Sequence, residues 1–133
     1  MIVVAIVAIL ASVAIPAYVN YKHRALQAEA VEALMRAKMD QELFWVEKDR
    51  YADTVGCLYS FGNSCSQETY TTPNGYELRI PDPNDGASTY RIVASKTYYG
   101  DVVDTLAITE SSPNPIISNP DALSFSIFDW LFN

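Results

Sequence analysis

The first 19 residues, MIVVAIVAILASVAIPAYV, carry no charge, and Ser12 is the one polar side chain of note before Tyr18. Wound as an α-helix the run is roughly 28 Å long, close to the hydrocarbon thickness of a bilayer. The helical signal continues past it. After the basic cluster Lys22, His23 and Arg24, the residues Leu26, Ala30, Ala33, Leu34, Ala37, Gln41, Phe44 and Trp45 recur three and four apart, an amphipathic stripe. Glu29, Glu32, Arg36, Lys38 and Glu47 lie mainly off it, and neither Gly nor Pro interrupts Ala17 to Arg50. One helix of about fifty residues, roughly 75 Å long, is predicted. In a chain of 133 residues the remainder supports one modest core and leaves no room for a second, catalytic domain. The first half of the rod must therefore be covered by lipid or by other subunits.

A cleaved signal peptide calls for a basic leader, a shorter apolar core and a small-residue cleavage site, and no basic leader stands before Met1. A single-pass anchor has the same hydropathy. The cluster at Lys22 to Arg24 reads as a membrane-edge anchor, with His23 part of it rather than a ligand or a base. Pro16 cannot donate a backbone hydrogen bond to the Ser12 carbonyl, and its ring crowds that carbonyl, so the helix is weak there.

Charge is unevenly placed. Met1 to Arg50 holds six basic and six acidic residues, whereas from Tyr51 onward Arg79, Arg91 and Lys96 face ten acids, so this second part carries the whole net charge of −7. Such a surface repels phosphate backbones, and nonspecific nucleic-acid binding by it is not expected. Cys57 and Cys65 share a stretch rich in Gly, Ser and Asn. They read as a local disulfide outside the cytosol, the alternative being two free thiols; the spacing is too wide for a C-x-x-C metal or redox motif.

Tyr51 to Gly75 reads as a loop, on its Gly56, Gly62, Asn63, Pro73, Asn74 and Gly75. Three runs have strand character: Tyr76 to Ile80, Thr89 to Ala94 and Thr105 to Thr109. The turn cluster Pro81 to Gly86 joins the first two, so a hairpin leading into an antiparallel meander, packed on the stripe of the helix, is the simplest topology. Asp82, Asn84 and Asp85 invite a calcium reading but miss the spacing of a calcium loop and suit an ordinary turn. No phosphate loop, nucleophile elbow or H-E-x-x-H motif occurs, so neither catalysis, cofactor nor metal is expected. Near the C-terminus Asn119-Pro120-Asp121 resembles a helix cap, with Leu123, Ile127, Trp130 and Leu131 on one face; a last strand, Leu123 to Phe128, is the alternative. Those apolar side chains need a cover, either within the subunit or on a neighbour. Conduction through stacked aromatics is excluded within one helix, because no Phe, Tyr or Trp lies between Tyr21 and Phe44, a gap of roughly 34 Å.

The run MIVVAIVAILASVAIPAYVNYKHRALQAEAVEAL, and above all its passage into Ile15-Pro16-Ala17-Tyr18, resembles the N-terminal helix of type IVa pilins and of the related type II secretion pseudopilins. The resemblance implies an α+β pilin fold, with 1–25 as an apolar membrane and filament-core helix and 26–133 as a head. It implies an assembly helix carrying Met1, Val4, Ile6, Leu10, Ile15, Pro16 and Tyr18, with Leu26, Ala30, Leu34, Ala37, Phe44 and Trp45 packing on the head. The partners implied are copies of the chain itself, the inner membrane before assembly, a prepilin peptidase and the pilus assembly machinery. The phenylalanine that such a peptidase exposes for methylation, and the glutamate needed for assembly, have their matching positions upstream of Met1. Assembled pilins of this type often lose helix before the matching proline, so a non-helical stretch within about Ala8 to Ala17 is expected in a filament. The functions weighed are a structural subunit of a type IV pilus, a secretion pseudopilin, a single-pass anchored binding domain and, last, an enzyme.

Overall fold

A computed structural model describes residues 1–62, 64–81, 88–98 and 102–118. Helix α1 runs from Ile2 to Lys48, 47 residues without a break and with Pro16 inside it. The Ser12 hydroxyl donates to the Ile9 carbonyl at 2.7 Å, one turn before the carbonyl that Pro16 leaves without its usual donor. At its far end α1 is stopped by Asp49, left-handed at φ 54°, whose N–H returns to the Trp45 carbonyl at 2.8 Å.

The chain then folds back on the helix it has just left. Gln41, fully buried, holds Ala52 at both backbone groups: its Nε2 donates to the Ala52 carbonyl at 3.1 Å and its Oε1 accepts from the Ala52 N–H at 2.8 Å. One residue earlier in α1, Asp40 accepts from the Ser60 N–H at 2.8 Å. Between these anchors and the sheet lie a short 3-10 turn, Val55–Cys57, and the disulfide Cys57–Cys65. Closing that ring contributes about 2.5 kcal/mol on the chain-entropy account. Two glycines let the loop cross itself: a Cβ on Gly56 would sit 2.1 Å from the Ser64 carbonyl, and one on Gly62 would sit 2.6 Å from the Gly56 Cα.

Five antiparallel strands follow in sequence order: β1 Thr69–Thr71, β2 Glu77–Arg79, β3 Arg91–Thr97, β4 Val103–Thr109 and β5 Ile116–Ile117. Their register sets Tyr70, Leu78, Ala94 and Leu106 in one row across the sheet. Alternation then places Ile92 and Ile108, also paired, on that same face. This face meets Ala30, Leu34, Ala37 and Phe44 of α1, joined by Tyr76 and Tyr90, in one buried cluster. Alanine at two of those helix positions lets the backbone approach the sheet closely. Lys38 ties the two layers together from the side, donating to the carbonyls of Thr109, Glu110 and Ser112.

The α+β architecture and the antiparallel meander are as the sequence predicts, while the strand limits differ. β1 lies inside the stretch read as loop, because Thr69 to Thr71 has too little alternation to signal a strand and gains its order by pairing with β2. β3 continues through Ser95, Lys96 and Thr97, polar residues that pair with Thr105, Asp104 and Val103 of β4. β5 has no counterpart among the predicted strands, since two residues are too few to show a period. Most of the turn cluster, with Asp82, Asn84 and Asp85, and the C-terminal aromatic segment lie outside the described residues.

Candidate functional site: the helix faces and the collar beneath the head

The first half of α1 presents every side to the surroundings. No residue of its apolar, membrane-length window is buried in the head, and Met1, Val4, Ile6, Leu10, Ile15 and Tyr18 are all exposed, with Pro16 half covered. Leu10, at mid-span, is 65% accessible.

The second half is apolar on two sides. One stripe is the expected one: Ala30, Leu34 and Ala37 are fully buried, Phe44 nearly so, and Leu26 and Trp45 pack at its margins. Trp45 continues into a short aromatic ladder, 4.7 Å from the Tyr51 ring, which is 4.7 Å from the Tyr90 ring. The other stripe is not among the sequence-based expectations. Met35, Met39, Leu43 and Val46, four and three residues apart, face away from the head, with Met39 68% and Val46 81% accessible. Following the same face back toward the N-terminus gives Ala28, Ala25 and Tyr21, all exposed, with Glu32 as its one charge, paired to Arg36 at 2.7 Å. The signal is present in the sequence as Met and Leu at helical spacing, and is hidden because each alternates with charged neighbours.

Where the two halves meet, the lower end of the sheet hangs beside the helix. Asp104 of β4, fully buried, accepts from Tyr76 Oη at 2.6 Å and Gln27 Nε2 at 3.1 Å. The Tyr76 and Tyr98 hydroxyls are 3.0 Å apart. Burial, reinforced by the bond to Asp104, raises the Tyr76 hydroxyl far above the ordinary tyrosine range, and burial beside Glu42 raises Tyr90. Lys96 Nζ lies 5.0 Å above the Tyr98 ring and 5.7 Å above the Tyr76 ring, and donates to the Asn74 carbonyl. Tyr98 in turn stands 5.2 Å from the His23 ring. Between these groups opens a cleft of about 610 Å³ lined by Tyr18, Val19, Lys22, His23, Leu26 and the 96–98 segment. No spacing rule links Lys22 to Lys96 in the sequence; only the path of β3 brings them to one cleft.

Fold and surface together define a class: a membrane-length helix whose second half carries a small disulfide-bearing antiparallel sheet. The chain is 47% identical over 90 residues to the type IV major pilin protein PilA of Myxococcus xanthus (strain DK1622), a match that covers 61% of this chain. It spans 41% of the length of that relative. The match is to a type IV major pilin, in line with the resemblance carried by the N-terminal run. No family model matches the chain, and no solved structure matches it.

Proposed function

We propose that this chain is a pilin, the subunit of a type IV pilus, and that it acts by polymerising rather than by catalysis. What carries the proposal is the second apolar stripe. A single-pass anchor needs the first half of α1 and nothing more, whereas Met35, Met39, Leu43 and Val46 extend an apolar face far beyond any bilayer, on the side opposite the head. Such a face suits the flank of a neighbouring helix in a homopolymer, where Met and Leu fill irregular gaps. Before assembly the segment 1–25 rests in the inner membrane with the disulfide-bearing head outside, and 26–133 then forms the outer layer of an extracellular filament. A prepilin peptidase and the pilus assembly machinery are the partners such a life history requires. In the filament, the stretch from Ala8 to Ala17 opens around Pro16, since neighbouring helices supply partners that lipid cannot. A filament map with unbroken helical hydrogen bonding from Met1 through Tyr21 would refute that opening.

Electron microscopy of material sheared from cells expressing the chain tests the main proposal. Filaments containing the subunit are expected. The double substitution Met39→Glu with Leu43→Glu should leave the membrane-held subunit folded and its disulfide closed, yet strongly reduce filament yield. Filaments of normal number from that variant, or none from the parent, would overturn the assignment.

A further inference from the structure

The cleft beneath the head has a composition that the polymerising surface does not explain. It lies where the apolar run ends: Tyr18 and Val19 form its floor, and Lys22 stands one turn higher, roughly 4.5 Å further along the axis. With the apolar run in a bilayer, that is the depth of the lipid headgroups, the level at which tyrosine and lysine anchor. The head carries the Cys57–Cys65 disulfide and so faces the oxidising side, which identifies the leaflet as the outer one.

The charges are placed against the trend of the molecule. From Tyr51 onward the chain has three basic residues against ten acids, and one of those three, Lys96, comes down beside Lys22 of the helix collar. Among the described residues neither lysine is in an ion pair. Of the neighbouring carboxylates, Glu29 is bonded to Asn74, and Asp104, paired across the strands with Lys96, accepts from Tyr76 and Gln27 through Oδ2 while its Oδ1 is buried without a hydrogen-bond partner. Two lysines thus line the cleft, Lys96 while donating to the Asn74 carbonyl, and its remaining walls are the apolar or aromatic Tyr18, Val19, Leu26 and Tyr98 with His23 and Thr97.

We propose that the cleft seats the headgroup phosphate of an anionic phospholipid, held between Lys22 and Lys96, with the glycerol and first acyl carbons along Tyr18, Val19 and Leu26. Charge complementarity selects this occupant, because it alone offers an anion at headgroup depth joined to an apolar chain that runs down the exposed helix. The site gives an otherwise acidic head a fixed seat on an anionic membrane while the subunit waits to assemble, and so rests on the membrane storage proposed above.

The full chain in nanodiscs of phosphatidylcholine, with and without phosphatidylglycerol, provides the test, with retained lipid counted by native mass spectrometry after mild detergent release. Phosphatidylglycerol should be enriched on the subunit over its share of the disc. Lys22→Gln and Lys96→Gln should each lower that enrichment by about fivefold, the factor that corresponds to about 1 kcal/mol per lysine at a membrane surface. Lys96→Arg should keep it. Excess inorganic phosphate should not displace the lipid; displacement would make the cleft a phosphate site and overturn the lipid assignment. Insertion with unchanged enrichment in Lys96→Gln would reduce the effect to the helix collar and overturn this site alone. Should that variant misfold, Arg24→Gln, an exposed collar residue outside the cleft, decides the same point: it should leave the enrichment unchanged, and a fall equal to that of Lys22→Gln would reduce the effect to the collar. A chain that enters neither disc would overturn the membrane storage itself.

Discussion

From Ile2 to Ile15 helix α1 is apolar around its whole circumference and has no buried residue, whereas from Leu26 to Lys48 it is apolar on two opposite sides with charges between them. The same secondary structure thus serves two regimes. In the first half nothing in the subunit satisfies the side chains, so the surroundings, lipid or other subunits, decide their free energy. In the second half one stripe is covered locally by the sheet, through Leu34, Leu78, Ile92 and Leu106, and only the other is left for a partner. Changes in the first half should therefore alter where the subunit goes, and changes in the buried stripe should alter whether the head stays folded.

The largest expected effect on that division comes from the buried stripe. Leu34→Ala removes a fully buried side chain at the centre of the helix–sheet layer and should cost the head about 2–5 kcal/mol. Thermal unfolding followed by tyrosine fluorescence in detergent should show a clearly lower midpoint, while membrane extraction behaviour stays as in the parent. A variant that leaves the membrane as readily as it unfolds would break the separation of the two halves.

The reciprocal change is Leu10→Lys, at the exposed middle of the apolar run. A lysine at mid-bilayer costs about 2.5–3.5 kcal/mol relative to insertion of the parent helix. Alkaline carbonate extraction should release more of this variant and filament yield should fall, with the unfolding midpoint of the head unchanged. A lowered midpoint would mean that the first half also supports the head.

A smaller effect sharpens the picture of the head alone. In the unfolded chain Tyr76 and Tyr90 ionise near the ordinary value of 10.0, and in the folded head burial, aided by Asp104 and Glu42, holds both neutral to higher pH. Their contribution is fully present below pH 10 and is lost as the pH rises beyond it, by about 1.4 kcal/mol per pH unit for each tyrosine that is ionised only when unfolded. Chemical denaturation between pH 9 and 11 should show stability level at first and then falling, and Tyr76→Phe should make the fall shallower. An equal slope in that variant would mean that Tyr76 does not contribute to it.

Much of this molecule is local in origin. An uncharged run of bilayer length, followed by apolar residues three and four apart with neither Gly nor Pro, dictates one long helix, and that pattern alone names Ala30, Leu34, Ala37 and Phe44 as its inner face. The disulfide partners follow from two cysteines in one loop, and the central strands from Ile, Val and Tyr between turn residues. What the sequence left open is whatever depends on pairing across distance. Thr69 to Thr71 becomes a strand only because β2 offers it a ladder, and Ser95 to Thr97 stays in β3 only because β4 runs alongside. Gln41, polar in an apolar stripe, is buried because Ala52 returns to meet both ends of its amide. Which apolar helix residues remain uncovered, and which two lysines share a cleft, depends on where the sheet docks on the rod. Side-chain periodicity records which face of a segment is apolar, and the tertiary structure decides which of those faces the chain can cover by itself.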